Sequence, residues 1–224
     1  MRLTLYYHPL ASFCWKVLIA LYENDTPFTA EIVNLGDRQA SARFFELWPV
    51  GKMPVLRDDE RERTVPETTI IVEYLDRHHS GARRLLPRNE DLRLDARLWD
   101  RFFDLYVHAP MQRIVANRLR AERERDPLAV SEATAALRTS YDVVERQMTA
   151  HTCAIGEEFS IADCAALPAL FYAGTVVPFA ETHQATAAYV DRLTQRPSVR
   201  RVLDEARPYF GLYPFKDSIP ARFV

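Results

Sequence analysis

A hydroxyl and a thiol lie near the start of a predicted helix, in the stretch LASFCWKVLIAL (residues 10–21), where either could take part in chemistry. Ser12 and Cys14 occupy its first turn, directly after a short strand-like run. The first amide N–H groups of a helix lack intrahelical partners and carry partial positive charge, so this position favours an anion. The hydroxyl could donate a hydrogen bond there, and the thiol could itself ionise. The pattern leaves both residues open as the reactive group.

A proline marks the second stretch, WPVGKMPVL (residues 48–56), in which Pro54 opens a predicted strand. The first residue of a strand need not donate to the ladder, so proline is tolerated there. After a Gly-Lys-Met turn, the Met53–Pro54 bond is a candidate cis peptide. It would leave the Met53 backbone facing outward, free to pair with an extended peptide. The alternative is that Pro54 only ends a loop.

The third stretch, VPETTIIVEYL (residues 65–75), opens a helix with Glu67 and Thr68. The unpaired N–H groups of that turn favour a ligand carboxylate, and the Glu67 carboxylate could hold an ammonium group beside it. An α-amino acid head group carries both charges. The alternative is that the two side chains cap their own helix.

The elements around these stretches indicate a small α/β domain. Apolar periodicity predicts strands at 3–7 and 28–34 with a helix at 12–23 between them, which is typical of a parallel βαβ unit. The chain then continues with a weaker helix at 43–47, a hairpin of strands at 54–57 and 63–65, and a helix from Glu67. The predicted order is β-α-β-α-β-β-α.

The rest of the chain reads as a linker followed by helices. Residues 80–90 are rich in Gly, Pro and Arg without periodicity, and residues 91–224 carry helical stripes. The predicted organisation is an α/β domain at 1–79, a linker at 80–90 and an all-α domain at 91–224.

Composition excludes several classes of function. The 224 residues have a formal net charge of -2 and 48% hydrophobic content, so no global positive field attracts nucleic acid or an anionic membrane. Met1 to Tyr7 mix charge into a strand pattern and do not form the core of a signal peptide, and no run approaches a membrane span. Three cysteines without C-x-x-C spacing predict neither disulfides nor a metal site. We expect a cytoplasmic protein.

Taken in order, these motifs resemble the cytosolic glutathione transferase family over essentially the whole chain. FSIADC (residues 159–164) is similar to that family's capping motif, with Ser160 and Asp163 as a capping box at the start of an apolar helix. The resemblance implies a thioredoxin-like first domain, an all-α second domain, a homodimer, and glutathione as cosubstrate without a metal. It also implies detoxification of small hydrophobic electrophiles.

The resemblance assigns residues to the glutathione site. It implies that the Met53 backbone, ahead of a cis Pro54, pairs with the cysteinyl unit and that Glu67 and Thr68 hold the γ-glutamyl group. Lys52 would lie near the glycyl carboxylate.

Further assignments concern the partner subunit and the electrophile. In related proteins an acidic residue of the partner's corresponding helix completes the γ-glutamyl site, and Asp104, on the polar side of WDRFFDLY, is the candidate here. The wall of the electrophile pocket is predicted to contain Tyr106, His108, Met111, Phe171 and Tyr172. Ordinary core packing is the alternative for each.

The resemblance also bears on the catalytic group. In serine-type members the hydroxyl occupies the first position of a pattern like S-x-F-C-x-K-V, where this chain has Ala11, and Ser12 is one residue later. Ser12 is favoured, with Cys14 and Tyr7 as alternatives, because tyrosine-type classes place their hydroxyl near the end of the first strand.

The catalytic task is to keep a thiol ionised. Lowering a thiol pKa of about 8.5 by about two units requires roughly 2.7 kcal/mol. A hydrogen bond to a charged group contributes about 1.5–3 kcal/mol, and a helix N-terminus up to about 2 kcal/mol. One hydroxyl and the helix end therefore suffice. Two other functions remain open, a Cys14-dependent thiol transferase and a noncatalytic glutathione-binding module.

Overall fold

The computed structural model describes residues 3–224, and the first two residues of the predicted N-terminal strand stretch lie outside that range. The first part of the chain is a four-stranded sheet with helices, in the predicted order. Its elements are β1 (Leu3–Tyr7), α1 (Ser12–Glu23), β2 (Thr29–Ile32), α2 (Arg38–Leu47), β3 (Val55–Asp58), β4 (Arg63–Pro66) and α3 (Thr68–His78).

The sheet has the strand order β2-β1-β3-β4. Strand β1 pairs in parallel with β2 and antiparallel with β3, which pairs antiparallel with β4. The βαβ unit and the hairpin are therefore confirmed. Helix α2 begins at Arg38, five residues before the predicted start, because the Asp37 side chain accepts the Ala40 N–H at 2.7 Å and caps it.

The second part of the chain is all helical. Its α-helices are α4 (Glu90–Phe102), α5 (Ala109–Leu119), α6 (Pro127–Ala150), α7 (Ile161–Val176), α8 (Gln184–Thr194) and α9 (Pro197–Ala206). A π-helical segment, Phe103–His108, joins α4 to α5, so the three segments form one continuous helix that is wider at its middle. Short 3₁₀ turns complete the C-terminal part. None of the helices within residues 3–224 is long and apolar enough to cross a bilayer.

Helices α1 and α7 form the contact between the two parts. Trp15 of α1 is fully buried against Phe171 and Tyr172 of α7, with ring centroids 5.0 Å apart in both pairs. The predicted capping box starts α7, where Asp163 accepts the Ser160 N–H at 2.8 Å. Because α1 is buried on most sides, its first turn is held rigidly beside the helical part.

Candidate functional site

The backbone around Pro54 has the predicted form. The Met53–Pro54 peptide bond is cis and follows Gly51, which has a φ of 69°. Within the described residues, neither the N–H nor the C=O of Met53 makes a hydrogen bond. Met53 therefore offers a donor and an acceptor to an extended ligand, next to the start of β3.

The start of α3 is open as well. Glu67 precedes its first residue and adopts a φ of 68°, a left-handed conformation that costs a non-glycine residue on the order of 1–2 kcal/mol. Its side chain makes no capping hydrogen bond, so the self-capping alternative does not describe Glu67. Its carboxylate and the first N–H groups of α3 are left for a ligand.

One cleft of about 260 Å³ joins these two features. It brings together the six residues assigned to glutathione, which are Lys52, Met53, Pro54, Glu67, Thr68 and Asp104. Phe13, Arg101, Leu105 and Ala109 complete its lining. We call it the glutathione cleft, after the ligand predicted for it. It combines carboxylates, cations, a helix start and free backbone groups in a small volume.

Asp104 lines this cleft and is buried among polar partners. Its side chain is buried, with Oδ2 at 2.9 Å from Lys16 Nζ and 3.1 Å from a nitrogen of Arg101. Its Oδ1 is buried without a hydrogen-bond partner among the described residues. Burial raises the pKa of Asp104, while Lys16 and Arg101 oppose that shift. This carboxylate lines a cleft of its own chain, and its role across a subunit contact stays a prediction.

Lys16 anchors a buried polar cluster below the cleft. Its ammonium, 1% exposed, lies 2.6 Å from Asp100 Oδ1 and donates to Thr69 at 3.0 Å. Thr69 in turn donates to Asp100 Oδ2 at 2.7 Å. With Asp104, the four side chains connect α1, α3, α4 and the π-helical segment. We call these residues the Lys16 cluster.

Ser12 does not line the glutathione cleft. It is buried, and its Oγ lies 2.6 Å from Nε2 of His108 while accepting an N–H from Gln112 at 3.1 Å. The backbone N–H groups of Ser12 and Phe13 have no partner within residues 3–224. The start of α1 therefore offers amide donors, while the Ser12 hydroxyl is held by the helical part.

The two alternatives to Ser12 are poor acids in this structure. Cys14 is fully buried, and desolvation raises the pKa of its thiol to about 12. Burial, with a smaller contribution from Glu205, raises the pKa of Tyr7 to about 12. Both groups stay protonated at neutral pH, and neither lines the glutathione cleft.

A larger cleft of about 780 Å³ adjoins the first and shares Phe13, Lys52, Met53 and Ala109 with it. Its other lining residues come from the β1–α1 loop, the segment after β2, Gly51 and α5. They are His8, Leu10, Ala11, Val33, Asn34, Leu35, Gly36, Gly51 and Gln112. The wall is mostly apolar and large enough for a small organic molecule.

None of the five residues predicted for the electrophile pocket lines this larger cleft. Met111 and His108 are buried, and Phe171 and Tyr172 belong to the aromatic packing against Trp15. Tyr106 is 58% exposed and lines a separate groove beside α6. Phe171 also lines a separate cavity of about 470 Å³ between α7 and the C-terminal turns, and the electrophile site of these five residues stays a prediction.

Comparison with known proteins agrees with this geometry. Residues 5–83 match the family model of the glutathione S-transferase N-terminal domain, and residues 102–197 match that of the C-terminal domain. The chain belongs to the glutathione S-transferase family.

Relatives of this glutathione S-transferase family member cover most of its length. Glutathione S-transferase GstB of Escherichia coli K12 is 26% identical over 192 residues, which are 84% of this chain and 91% of that protein. Glutathione S-transferase F13 of Arabidopsis thaliana is 26% identical over 77% of this chain and 80% of its own.

Solved structures share the fold. A glutathione S-transferase from Methylobacillus flagellatus, with glutathione bound, has a TM-score of 0.83 at 21% identity, covering 89% of this chain and 98% of that one. The transferase URE2P8 of Phanerochaete chrysosporium, with oxidized glutathione, also has a TM-score of 0.83, at 23% identity over 93% and 96% of the two chains.

Sequence patterns did not predict several site residues of this glutathione S-transferase family member. His8, Phe13 and Gln112 line the larger cleft, and Lys16 holds the buried cluster. The lysine had a signal, because a charge inside the otherwise apolar run of α1 must find a partner once that face is buried. The other three had none, since their neighbours come from distant segments.

Proposed function

We propose that this protein is a glutathione transferase, in which the glutathione thiolate lies at the start of α1 and attacks a small hydrophobic electrophile in the larger cleft. The observation that carries this proposal is the glutathione cleft itself. It unites a free Met53 backbone, the Glu67 carboxylate and the open N-terminus of α3 within reach of α1. Conjugation of this kind serves detoxification, and we expect it in the cytoplasm.

Each part of glutathione has a matching group in the cleft. The γ-glutamyl carboxylate suits Thr68 and the first N–H groups of α3, and its ammonium suits Glu67 and the Asp104 carboxylate of the same cleft. The cysteinyl backbone suits Met53, and the glycyl carboxylate suits Lys52. The solved relatives crystallised with glutathione support this ligand.

Ionisation of the thiol is assigned to the start of α1. The free N–H groups of Ser12 and Phe13 point to an anion site, and Ser12 can add its hydroxyl proton if His108 donates from Nε2. In that tautomer the hydroxyl accepts from His108 and Gln112 and remains free to donate. Ser12 is therefore proposed as the catalytic hydroxyl, with the helix start as its companion.

The thiol transferase alternative needs an accessible, acidic Cys14. Complete burial and a pKa raised to about 12 oppose that role. The noncatalytic alternative is opposed by the larger cleft, which offers room for a second substrate beside the proposed thiol position.

Glutathione binding tests the site directly. Glu67→Ala should weaken binding by more than about 1.5 kcal/mol in calorimetry, because it removes a charge-assisted hydrogen bond. Glu122→Ala, which removes an exposed acid of the helical part, is the matched control and should bind normally. Equal affinity of all three proteins would exclude the glutathione cleft as the binding site.

Catalysis is tested with a generic aryl halide and by the ultraviolet absorbance of bound glutathione thiolate against pH. Ser12→Ala should raise the pKa of the bound thiol by about one to two units, following the roughly 1.5–3 kcal/mol of such a bond. Cys14→Ala should leave it unchanged. Loss of hydroxyethyl disulfide exchange in Cys14→Ala alone would replace this assignment by the thiol transferase.

We also propose a homodimer, formed through the exposed face of α3 and α4. Leu94 and Leu98, four residues apart on α4, are 68% and 62% exposed, and Ile70 of α3 is 50% exposed. Glu73 and Arg97 join the two helices by a bidentate ion pair beside them. Exposed apolar side chains on two helices joined in this way are typical of a subunit interface.

Light scattering checks the homodimer. The unmodified protein should have the mass of two chains at micromolar concentration, and Leu98→Arg should have the mass of one. Leu128→Arg, at an apolar position of α6 that is 69% exposed, should remain dimeric. A monomeric unmodified protein contradicts the proposal.

A further inference from the structure

His8 lies in the larger cleft, directly after β1, and its ring orientation is fixed. Its Nδ1 accepts the backbone N–H of Leu10 at 3.1 Å, and its ring meets Tyr209 edge-on with centroids 5.1 Å apart. Because Nδ1 acts as an acceptor, the proton of the neutral ring must be on Nε2. The local backbone thus selects one tautomer.

The neutral form is favoured by two independent effects. A protonated ring would place a hydrogen on Nδ1, facing the Leu10 N–H, and would lose that bond. Burial also lowers the pKa of His8 below its ordinary value of 6.5. At neutral pH the residue is therefore a hydrogen-bond donor without a charge.

The Nε2–H of His8 is free to bind a ligand. It makes no hydrogen bond to another of the described residues, and it is not among the buried side-chain atoms that lack a partner, so it faces open space. The two side-chain amides of the larger cleft already form hydrogen bonds within the protein, since Gln112 donates to Ser12 and Asn34 accepts the Gly36 N–H. His8 is thus a fixed donor in a mostly apolar wall.

We propose that His8 donates a hydrogen bond from Nε2 to an electrophile oxygen that becomes negatively charged during conjugation, and that the preferred substrates are α,β-unsaturated aldehydes and ketones. This inference rests on the function proposed above. The thiolate sulfur forms a bond to the β-carbon, the carbon–carbon π bond breaks, and its electron pair moves to the carbonyl oxygen as an enolate. Water then supplies the proton to the α-carbon. His8 keeps its own proton throughout.

The chemistry explains the preference. A donor held in a fixed orientation stabilises developing charge more strongly than mobile water does, because no reorganisation is needed. An alkyl halide releases its charge on a departing halide and has no acceptor oxygen, so it gains little from His8. The two kinds of electrophile therefore report separately on this residue.

The test compares kcat/KM for a 2-alkenal and for a benzyl halide in each variant. His8→Asn keeps an acceptor near the Leu10 N–H but removes the donor at the Nε2 position, and His8→Gln places an amide donor there. In His8→Asn, kcat/KM for the alkenal should fall on the order of 10²-fold, relative to the benzyl halide, as for loss of one oxyanion donor. His8→Gln should recover part of this ratio.

The ratio of the two rates within one variant does not depend on the fraction of folded protein. An unchanged ratio in His8→Asn, with both substrates conjugated by the unmodified protein, overturns the role of His8 alone. Conjugation of neither substrate by the unmodified protein overturns the proposed function, and this inference with it.

Discussion

Two polar regions of this protein lie next to each other and differ in how their groups are satisfied. In the Lys16 cluster, the buried ammonium group pairs with two carboxylates, and the hydroxyl of Thr69 donates to one of them. In the two clefts, the Met53 backbone and the Nε2 of His8 face open space without a partner among the described residues. Internal pairing stabilises the contact between the two parts of the chain, whereas unpaired groups are available to a ligand.

Asp104 connects the two regions, because its buried carboxylate pairs with Lys16 while the residue also lines the glutathione cleft. The comparison teaches that burial of a polar group does not by itself indicate a structural role. What distinguishes the two roles is whether the protein supplies every partner.

The largest expected effect is on the buried side of the comparison. Lys16→Met leaves Asp100 and Asp104 without their shared buried cation, so the free energy of unfolding should fall by about 3–5 kcal/mol. Urea denaturation measures it. Arg113→Met, which removes an exposed ion pair with Glu132, is the control and should cost less than about 1 kcal/mol. A comparable small loss for Lys16→Met would show that the cluster is not essential to stability.

His108 gives a prediction that depends on pH. Burial, followed by the charge of Lys16, lowers its pKa from 6.5 to about 3. Below pH 6.5 the unfolded chain takes up a proton that the folded chain refuses until about pH 3. Stability present above pH 6.5 is therefore lost as the pH falls, at up to about 1.4 kcal/mol per pH unit.

The variant His108→Phe isolates this contribution, because a phenyl ring can retain the stacking on Phe13, whose centroid lies 3.7 Å from that of His108. Between pH 7.5 and 5.0 the unmodified protein should lose about 2 kcal/mol more unfolding free energy than the variant. Urea denaturation at the two pH values measures both. Equal losses of unfolding free energy in the two proteins would show that folding does not lower the pKa of His108.

The variant Asp104→Asn tests whether the residue shared by the Lys16 cluster and the glutathione cleft also binds the ligand. We expect glutathione affinity to fall about tenfold, since the amide cannot replace a charge-assisted bond to the ligand ammonium. Calorimetry measures the affinity, and Asp95→Asn on the adjoining helix α4 serves as the control. Normal affinity with lower stability would assign Asp104 to the buried cluster alone.

The smallest expected effect concerns the thiols. Cys14 and Cys164 are fully buried, while Cys153 is partly exposed. In the native protein a thiol reagent should modify Cys153 only slowly and leave Cys14 unmodified, because burial raises the pKa of each of these thiols. Mass spectrometry of the labelled peptides checks this. Rapid labelling of Cys14 would restore its candidacy as a reactive group.

Local patterns predicted much of this molecule. Apolar periodicity predicted α1 at Ser12–Glu23 and the order of strands and helices along the chain, and the turn before Pro54 made a cis bond one of two alternatives. The capping box at Ser160 was predicted from the FSIADC stretch through its similarity to the family's capping motif. All of these depend on contacts within a few residues, which a sequence displays directly.

By itself, then, the sequence determined which residue types stand at the starts of α1 and α3 and which backbone precedes Pro54. Tertiary structure decided their partners. Ser12 bonds His108 from 96 positions away, and Lys16 pairs with Asp104 from 88 positions away. The π-helical segment and the packing of α7 also decided which aromatic residues face a cleft and which fill the core. The physical reason is that periodicity fixes the face of a helix, whereas the groups that meet that face depend on how distant elements pack.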